Sequence, residues 1–291
     1  MVVVTGAAGK TGRAVIRALV AKGAPVRAVV HRPRQARLVE KLGAQQVIVG
    51  DMRRQSAMDA AAQGARAICH ICPNLHPEED AIGRAAIGAA RSAGVERFVY
   101  HSVLHPHVEC MPHHWLKMRV EEQLFRSGLS FTILQPAAYM QNVLAHWERL
   151  LDQGIYTVPY AVETRLAMVD LEDVAEAAAV VLNEPGHEGA TYELVGPEVL
   201  TQTEVAEILG QEIGREVRAE AVSLGTWVRR AKESGLGDYQ VQTLVRMFRY
   251  YERFGFWGGP RVLTWLLGRA PATFAAFVGR VAQEWSVGTT P

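Results

Sequence analysis

Apolar residues are distributed along this chain in two ways. Some form short unbroken runs, and others recur at every third or fourth position. Val2-Val3-Val4 is a run of the first kind and predicts a strand buried on both faces. Gly6, Gly9 and Gly12 follow it directly. Ala14, Val15, Ala18, Leu19 and Ala21 then recur at helical spacing, and Gly23 ends the run. The prediction is strand, glycine turn, helix. The same alternation continues. Strands are predicted at Pro25–Val30, Gln46–Val49, Ala67–Pro73, Phe98–Tyr100 and Ser130–Leu134, and helices at Arg34–Leu42, Ser56–Gln63, Glu79–Ala93 and Trp115–Arg126. Strands that alternate with helices imply a parallel sheet covered on both faces, a doubly wound α/β fold of Rossmann type.

The later pattern is less regular. Tyr139–Leu151 reads as helix and Arg165–Val169 as strand. Glu172–Leu182 reads as an alanine-rich helix capped by Asp170, and Thr191–Val195 as strand. Thr201 and Glu204 form a capping box before another helix, and from Leu224 the chain is helical with Gly/Pro interruptions. The expected division is a dinucleotide-binding domain over 1–152, with the helix at 170–183 packing back on it. A smaller, mostly helical substrate or lid region spans 153–291.

The glycine turn narrows the chemistry. Such a turn needs one glycine for the bend, one for close approach of a pyrophosphate and one for tight packing of helix on strand. Gly6, Gly9, Lys10, Thr11 and Gly12 are therefore the expected phosphate contacts, although a tight turn without a ligand gives the same spacing. The end of the second strand faces the adenine ribose in such folds. It carries His31 and Arg32, with Arg34 and Arg37 close behind, where an NAD site would carry an acid. A cation suits a 2′-phosphate, so NADP is expected in preference to NAD. Asp51 is placed either to bond an adenine amino group or to cap a turn. Ligands bind outside the carboxyl ends of parallel strands, which puts Gly6, Arg32, Asp51, Pro73, Ser102 and Pro136 along one edge.

Composition removes several classes. Across 291 residues, 49% are hydrophobic and 21% charged, with a net charge of +1. There is no strong basic field for nucleic acid or a membrane surface. No apolar run reaches the roughly 20 residues needed to span a bilayer, and the first strand begins at residue 2, so a soluble cytoplasmic protein without a signal peptide is expected. Three cysteines favour a reducing compartment. Cys69 and Cys72 lie three apart on a predicted strand and so face opposite sides, which argues against a redox pair. His105, His107, His113 and His114 crowd one loop without a helical zinc signature, and no metal is expected.

Several longer segments together resemble the NmrA-like family of the atypical short-chain dehydrogenase/reductase superfamily. They are VTGAAGKTGRAV, GDM at 50–52, RFVYHSV at 97–103, LKMRVEEQL at 116–124, SFTILQPAAYMQN at 130–142, MVDLEDVAEAAAVVL at 168–182 and the late WLLGRAPATFAAFV. The wider superfamily carries a serine and a Tyr-x-x-x-Lys pair. The resemblance places Ser102 as the serine, to polarise a carbonyl or merely cap the loop, and Lys117 as the lysine, the latter both catalytic and cofactor-binding. His113 stands where the tyrosine would be. Positions 113 and 117 share a helical face, and a histidine can act as general acid near neutral pH. Lys117 could instead be a solvated lysine paired with Glu121. Tyr139 is a further candidate donor, and Tyr139, Met140 and Trp147 could line a substrate pocket or simply pack.

The expected protein is an NADPH-dependent oxidoreductase that reduces a quinone, carbonyl or activated alkene, a small-molecule enzyme that could form a homodimer. The alternatives are a sensor that binds NADP(H) and a protein partner without turnover, its partner surface supplied by the aromatics between Trp227 and Trp265, and a non-redox lyase or isomerase.

Overall fold

Val2–Val4 forms β1 in the computed structural model of the chain, which describes residues 1–286, and all three valines are buried. The chain then runs into α1 (Lys10–Ala21), which turns Ala14, Val15, Ile16 and Leu19 inward on one stripe. Alternation continues through β2 (Val26–Val30), α2 (Ala36–Glu40), β3 (Gln46–Val49), α3 (Gln55–Ala62), β4 (Ala67–His70), α4 (Glu79–Ala93), β5 (Arg97–His101), α5 (Pro112–Phe125) and β6 (Phe131–Pro136). Next come β7 (Ala138–Tyr139), α6 (Trp147–Gln153), β8 (Ile155–Val158), β9 (Leu166–Val169), α7 (Leu171–Asn183), β10 (Ala190–Leu194) and β11 (Val199–Leu200). The last elements are α8 (Gln202–Ile213), β12 (Arg218–Ala221), α9 (Leu224–Glu233), α10 (Asp238–Phe254), α11 (Arg261–Leu267) and α12 (Phe274–Ser286).

Seven strands form one sheet in the order β10-β6-β5-β4-β1-β2-β3, and every pairing in it is parallel. The order reverses direction between β1 and β4, the place where a doubly wound sheet opens a crevice at its carboxyl edge. One compact unit comprises Met1–Pro136 and Leu171–Leu194, and a second comprises Ala137–Asp170 and the chain from Val195 onward. Ala137–Asp152 therefore falls in the second unit, whereas the sequence division at 152 places it in the first. The chain enters the second unit early and returns to contribute α7 and β10 to the first. In the first unit Met58, Ile68, Phe98, Tyr100 and Ile133 pack in one core. Each large apolar side chain buried in this way contributes about 1.5–3 kcal/mol by leaving water.

In the second unit β7, β9 and β11 form a small sheet, and β8 pairs in parallel with β12. Met140, Trp147, Tyr156, Phe274, Phe277 and Val278 share its core. Met140 and Trp147 are each 1% exposed, so they pack rather than line an open pocket, and only Tyr139 stays half-buried. The aromatics after Trp227 divide: Phe248, Tyr251 and Phe256 are buried, while Phe254, Trp257 and Trp265 are exposed.

Three local expectations change. The fifth helix starts at Pro112 rather than Trp115, because proline at the first helical position has its φ already set and needs no N–H partner. His113 and His114 thus lie on a helix, not in the preceding loop. Residues 140–146 form a 3₁₀ helix after a two-residue strand, where one α-helix was expected. The strand predicted to end at Leu134 runs on to Pro136, which pairs opposite Leu194 of β10.

Candidate active site

The turn between β1 and α1 is shaped by its glycines. Gly6 has φ +58°, and a Cβ there would meet the Ile71 carbonyl oxygen at 2.6 Å. A Cβ on Gly12 would meet the Gly6 oxygen at 2.4 Å and the Ala7 Cα at 2.7 Å. Gly6 therefore needs both a left-handed backbone and closeness to the segment leaving β4, and Gly12 lets α1 press on the turn. Gly9, the N-cap of α1, is exposed, and its N–H bonds the Gly6 carbonyl at 2.9 Å. Lys10 is exposed beside it and Thr11 is buried. No acidic residue occupies the first turn of α1. A helix N-terminus that is open at its glycine cap and bears no negative charge is suited to phosphate. The residues present thus fit a dinucleotide. Gly6, Gly9 and Gly12 shape the cradle, and Lys10 and Thr11 open the helix over it.

The end of β2 is basic and open. His31, Arg32, Arg34 and Arg37 are all exposed, and the Arg32 N–H is fixed by the Gln35 side chain at 2.9 Å. Asp51, beyond β3, makes a tight turn with Arg53. Its carboxylate accepts from the Arg53 backbone at 3.0 Å and from the guanidinium at 2.6 Å. Those bonds hold the Asp51 carboxyl down at about 2. It stays ionised there as a turn former. Pro73 is exposed just after β4, and Pro136 is buried with its carbonyl accepting from Leu104 at 2.9 Å.

A buried polar cluster lies beyond the carboxyl ends of β4 and β5. Glu79 is the first residue of α4 and is 1% exposed. Lys117 on α5 reaches it at 2.5 Å and also donates to the His101 carbonyl at 3.3 Å. The Tyr100 hydroxyl donates to the same Glu79 oxygen at 3.0 Å, and the Lys117 ammonium sits 5.5 Å from the Tyr100 ring centre. Lys117 is thus neither solvated nor paired with Glu121. Glu121 instead accepts a very short bond from the Ser102 hydroxyl and two 3.0 Å bonds from the Gln135 amide. Behind them His70 shares a 3.0 Å hydrogen bond with Thr5 at the switch point and stacks on Tyr100.

This arrangement alters two of the expected catalytic roles. A serine has one proton to donate, and Ser102 gives its own to Glu121. While Glu121 is ionised, Ser102 does not polarise a substrate carbonyl. His113 is 8% exposed, its Nδ1 has no partner among the described residues, and its ring stands edge-on to His114. Burial first, then the charges of His114 and Lys117, press its pKa down to about 2. A general acid must be protonated at the working pH; His113 is neutral there. Glu79, Glu121, Gln135 and Tyr100 were not singled out by sequence reasoning. Glu79 and Glu121 looked like ordinary helix carboxylates, and only RFVYHSV hinted at Tyr100.

Cys69 and Cys72 are buried free thiols, with burial pushing Cys69 up to about 12 and Cys72 well above its usual value. Among the described residues no three His, Cys, Asp or Glu side chains cluster as a metal site, and no helix is long and apolar enough to cross a membrane.

A parallel sheet of this order, with a glycine turn and a basic strand end at its carboxyl edge, defines a dinucleotide-binding α/β protein. The chain belongs to the NmrA-like family, whose sequence model it matches over residues 1–275. It is 29% identical to an NAD(P)H azoreductase of Xenophilus azovorans, over 95% of this chain and 96% of the relative. It is also 29% identical to quinone oxidoreductase 2 of Escherichia coli, covering 97% of this chain and 98% of that protein. The crystal structure of that NADPH-dependent quinone oxidoreductase complexed with NADPH superposes with a TM-score of 0.84, over 97% of this chain and 99% of the other. A Citrobacter triphenylmethane reductase complexed with NADP(H) shares the fold, with a TM-score of 0.84 at 23% identity over 97% and 100% of the two chains.

Proposed function

We propose that the protein is an NADPH-dependent oxidoreductase acting on quinones. The observation that carries this reading is the cradle at Gly6 and Gly12, joined to a β2 end that presents Arg32 and no acid. It is supported by relatives of nearly full length that are named for NAD(P)H-dependent azo reduction and quinone oxidoreduction. Bound NADPH would supply a hydride. The glycine turn and the first turn of α1 would hold its pyrophosphate, Arg32 its 2′-phosphate and Lys117 its ribose end.

The missing tyrosine bears on the acceptor. Reduction of a carbonyl leaves an alkoxide, a strong base that needs an acid in place. Reduction of a quinone leaves a hydroquinone anion, a much weaker base that can take its proton from water. Neither Ser102 nor His113 stands ready as an acid here, so a quinone suits this site better than a ketone. A carbonyl or activated alkene acceptor is the narrower alternative. The three free cysteines are consistent with a reducing compartment, and we place the protein in the cytoplasm.

The same neutral His113 favours a second reading, an NADP(H) sensor without turnover that acts through a protein partner. The test is oxidation of NADPH by the purified protein with a series of quinones and simple ketones. Quinone-dependent turnover in preference to ketone turnover is expected. Tight NADPH binding with no turnover on any acceptor would replace the enzyme with the sensor.

A further inference from the structure

Two features of the Glu79–Lys117 pair set it apart from a helix-to-helix staple. The first is the donor count. An ammonium has three N–H donors, and the structure gives Lys117 two partners, Glu79 at 2.5 Å and the His101 carbonyl at 3.3 Å. The third donor remains. Both partners belong to segments that leave the carboxyl ends of β4 and β5, next to the switch point, so the ammonium lies on the ligand side of the sheet. The Lys117 side chain keeps 13% exposure, against 1% for Glu79. The second is an unmet group. Glu79 Oε2 is buried and has no partner among the described residues, while Oε1 takes both Lys117 and Tyr100. An unpaired carboxylate oxygen in a buried site is costly. The site bears that cost at the residue that holds the lysine. The first-turn position of Glu79 in α4 offsets part of it, because the helix dipole favours an anion there.

We propose that Glu79 is a positioning residue. With Tyr100 bracing it, Glu79 fixes the Lys117 ammonium so that its third N–H meets the nicotinamide-ribose end of NADPH. The proposal rests on the NADPH reading above and extends it to a residue that does not itself touch the cofactor. Chain geometry supports the bracing. Tyr100 is fully buried, with the His70 ring stacked on it at 5.9 Å and the ammonium 5.5 Å from its ring centre, so its hydroxyl cannot swing away from Glu79 without disturbing the core.

The test is a double-mutant cycle on the full chain with Glu79→Gln, Lys117→Met and the double variant. NADPH dissociation constants are read by nicotinamide fluorescence, and kcat and KM with a quinone are read alongside. Glu79→Gln should weaken NADPH roughly tenfold, the worth of one charge-assisted hydrogen bond, and lower kcat while leaving the quinone KM within about twofold. Lys117→Met should do the same. In the Lys117→Met background, Glu79→Gln should change NADPH affinity less than about twofold, the signature of two residues acting through one contact. Tyr100→Phe keeps the fold while removing one bond to Glu79; should Glu79→Gln fail to fold, this variant replaces it in the cycle with the same coupling expected. Glu79→Gln that melts lower but binds NADPH like the wild type would overturn the proposal and leave a staple. Multiplicative losses in the double variant would also overturn it. A wild type that binds NADPH but turns over no quinone defeats the reductase reading alone, since the binding cycle still decides the role of Glu79. A wild type that does not bind NADPH defeats both.

Discussion

The two ends of the candidate site are built from different materials. At the β1–α1 turn the backbone makes the site. Gly6 bends where side chains rarely go, and Gly12 leaves space that a methyl group would fill. Beyond β4 and β5 the side chains make the site. Glu79, Tyr100, Lys117, Ser102, Glu121 and Gln135 come from α4, β5, the segment after it, α5 and β6, and they bond one another largely out of water. The first region should tolerate changes of charge and fail on changes of size. The second should tolerate small changes of size and fail when one charge of a pair is lost.

The largest effect bears on the second half of that contrast. Lys117→Met leaves the buried Glu79 carboxylate without its cation. Removing one partner of a buried pair costs about 3–5 kcal/mol, and urea unfolding should show it. Gly12→Ala comes next. Its methyl would overlap backbone atoms, and overpacking of this kind costs about 1–3 kcal/mol, with NADPH binding lost alongside. A Gly12→Ala variant of unchanged stability would show that the turn does not need its glycine.

Acid should then separate the regions by titration. Burial presses His70 and His101 to about 3, His113 to about 2 and His114 to about 4. The unfolded chain takes up these protons near pH 6.5 and the folded chain does not. Stability is therefore complete above about pH 6.5 and falls as pH drops toward 4 and below, by up to about 1.4 kcal/mol per pH unit for each imidazole. Thermal melts from pH 7 to 4 check this. His113→Gln should flatten part of the slope, whereas Asp51→Asn, at the exposed turn, should leave it unchanged.

The smallest effects belong to the exposed turn after β3. Asp51→Ala breaks a largely solvent-exposed pair with Arg53, and such pairs are worth about 0–1 kcal/mol. A loss of more than that, read from denaturant midpoints, would show that the turn after β3 does more than close.

Legibility in the sequence divides along the same line. The periodic α4 was read at its observed limits, Glu79 to Ala93, because a first-turn acid pair and Gly94 mark both ends. The Thr201–Glu204 capping box is present, with the Thr201 N–H bonded to Glu204 at 2.7 Å. The glycine turn was legible because backbone demands write themselves as glycine. β8 and β12 were not legible, since their pairing joins Ile155–Val158 to Arg218–Ala221, distant in the chain and without a turn signal between them. The polar cluster was half legible. Ser102, His113 and Lys117 stood out by motif, but which carboxylate took which donor depends on several helices and strands meeting. Glu121 sits at i+4 from Lys117, yet Lys117 turns to Glu79 across the α4–α5 contact.

Selection of NADPH by the cradle and the basic strand end together stands or falls with one titration, that of the wild type and Arg32→Ala with NADPH and NADH. The wild type should prefer NADPH. Arg32→Ala should weaken NADPH about tenfold, roughly the worth of one charge-assisted contact to a phosphate, and leave NADH binding unchanged. Equal affinities for both cofactors in the wild type, unaffected by Arg32→Ala, would contradict that selection.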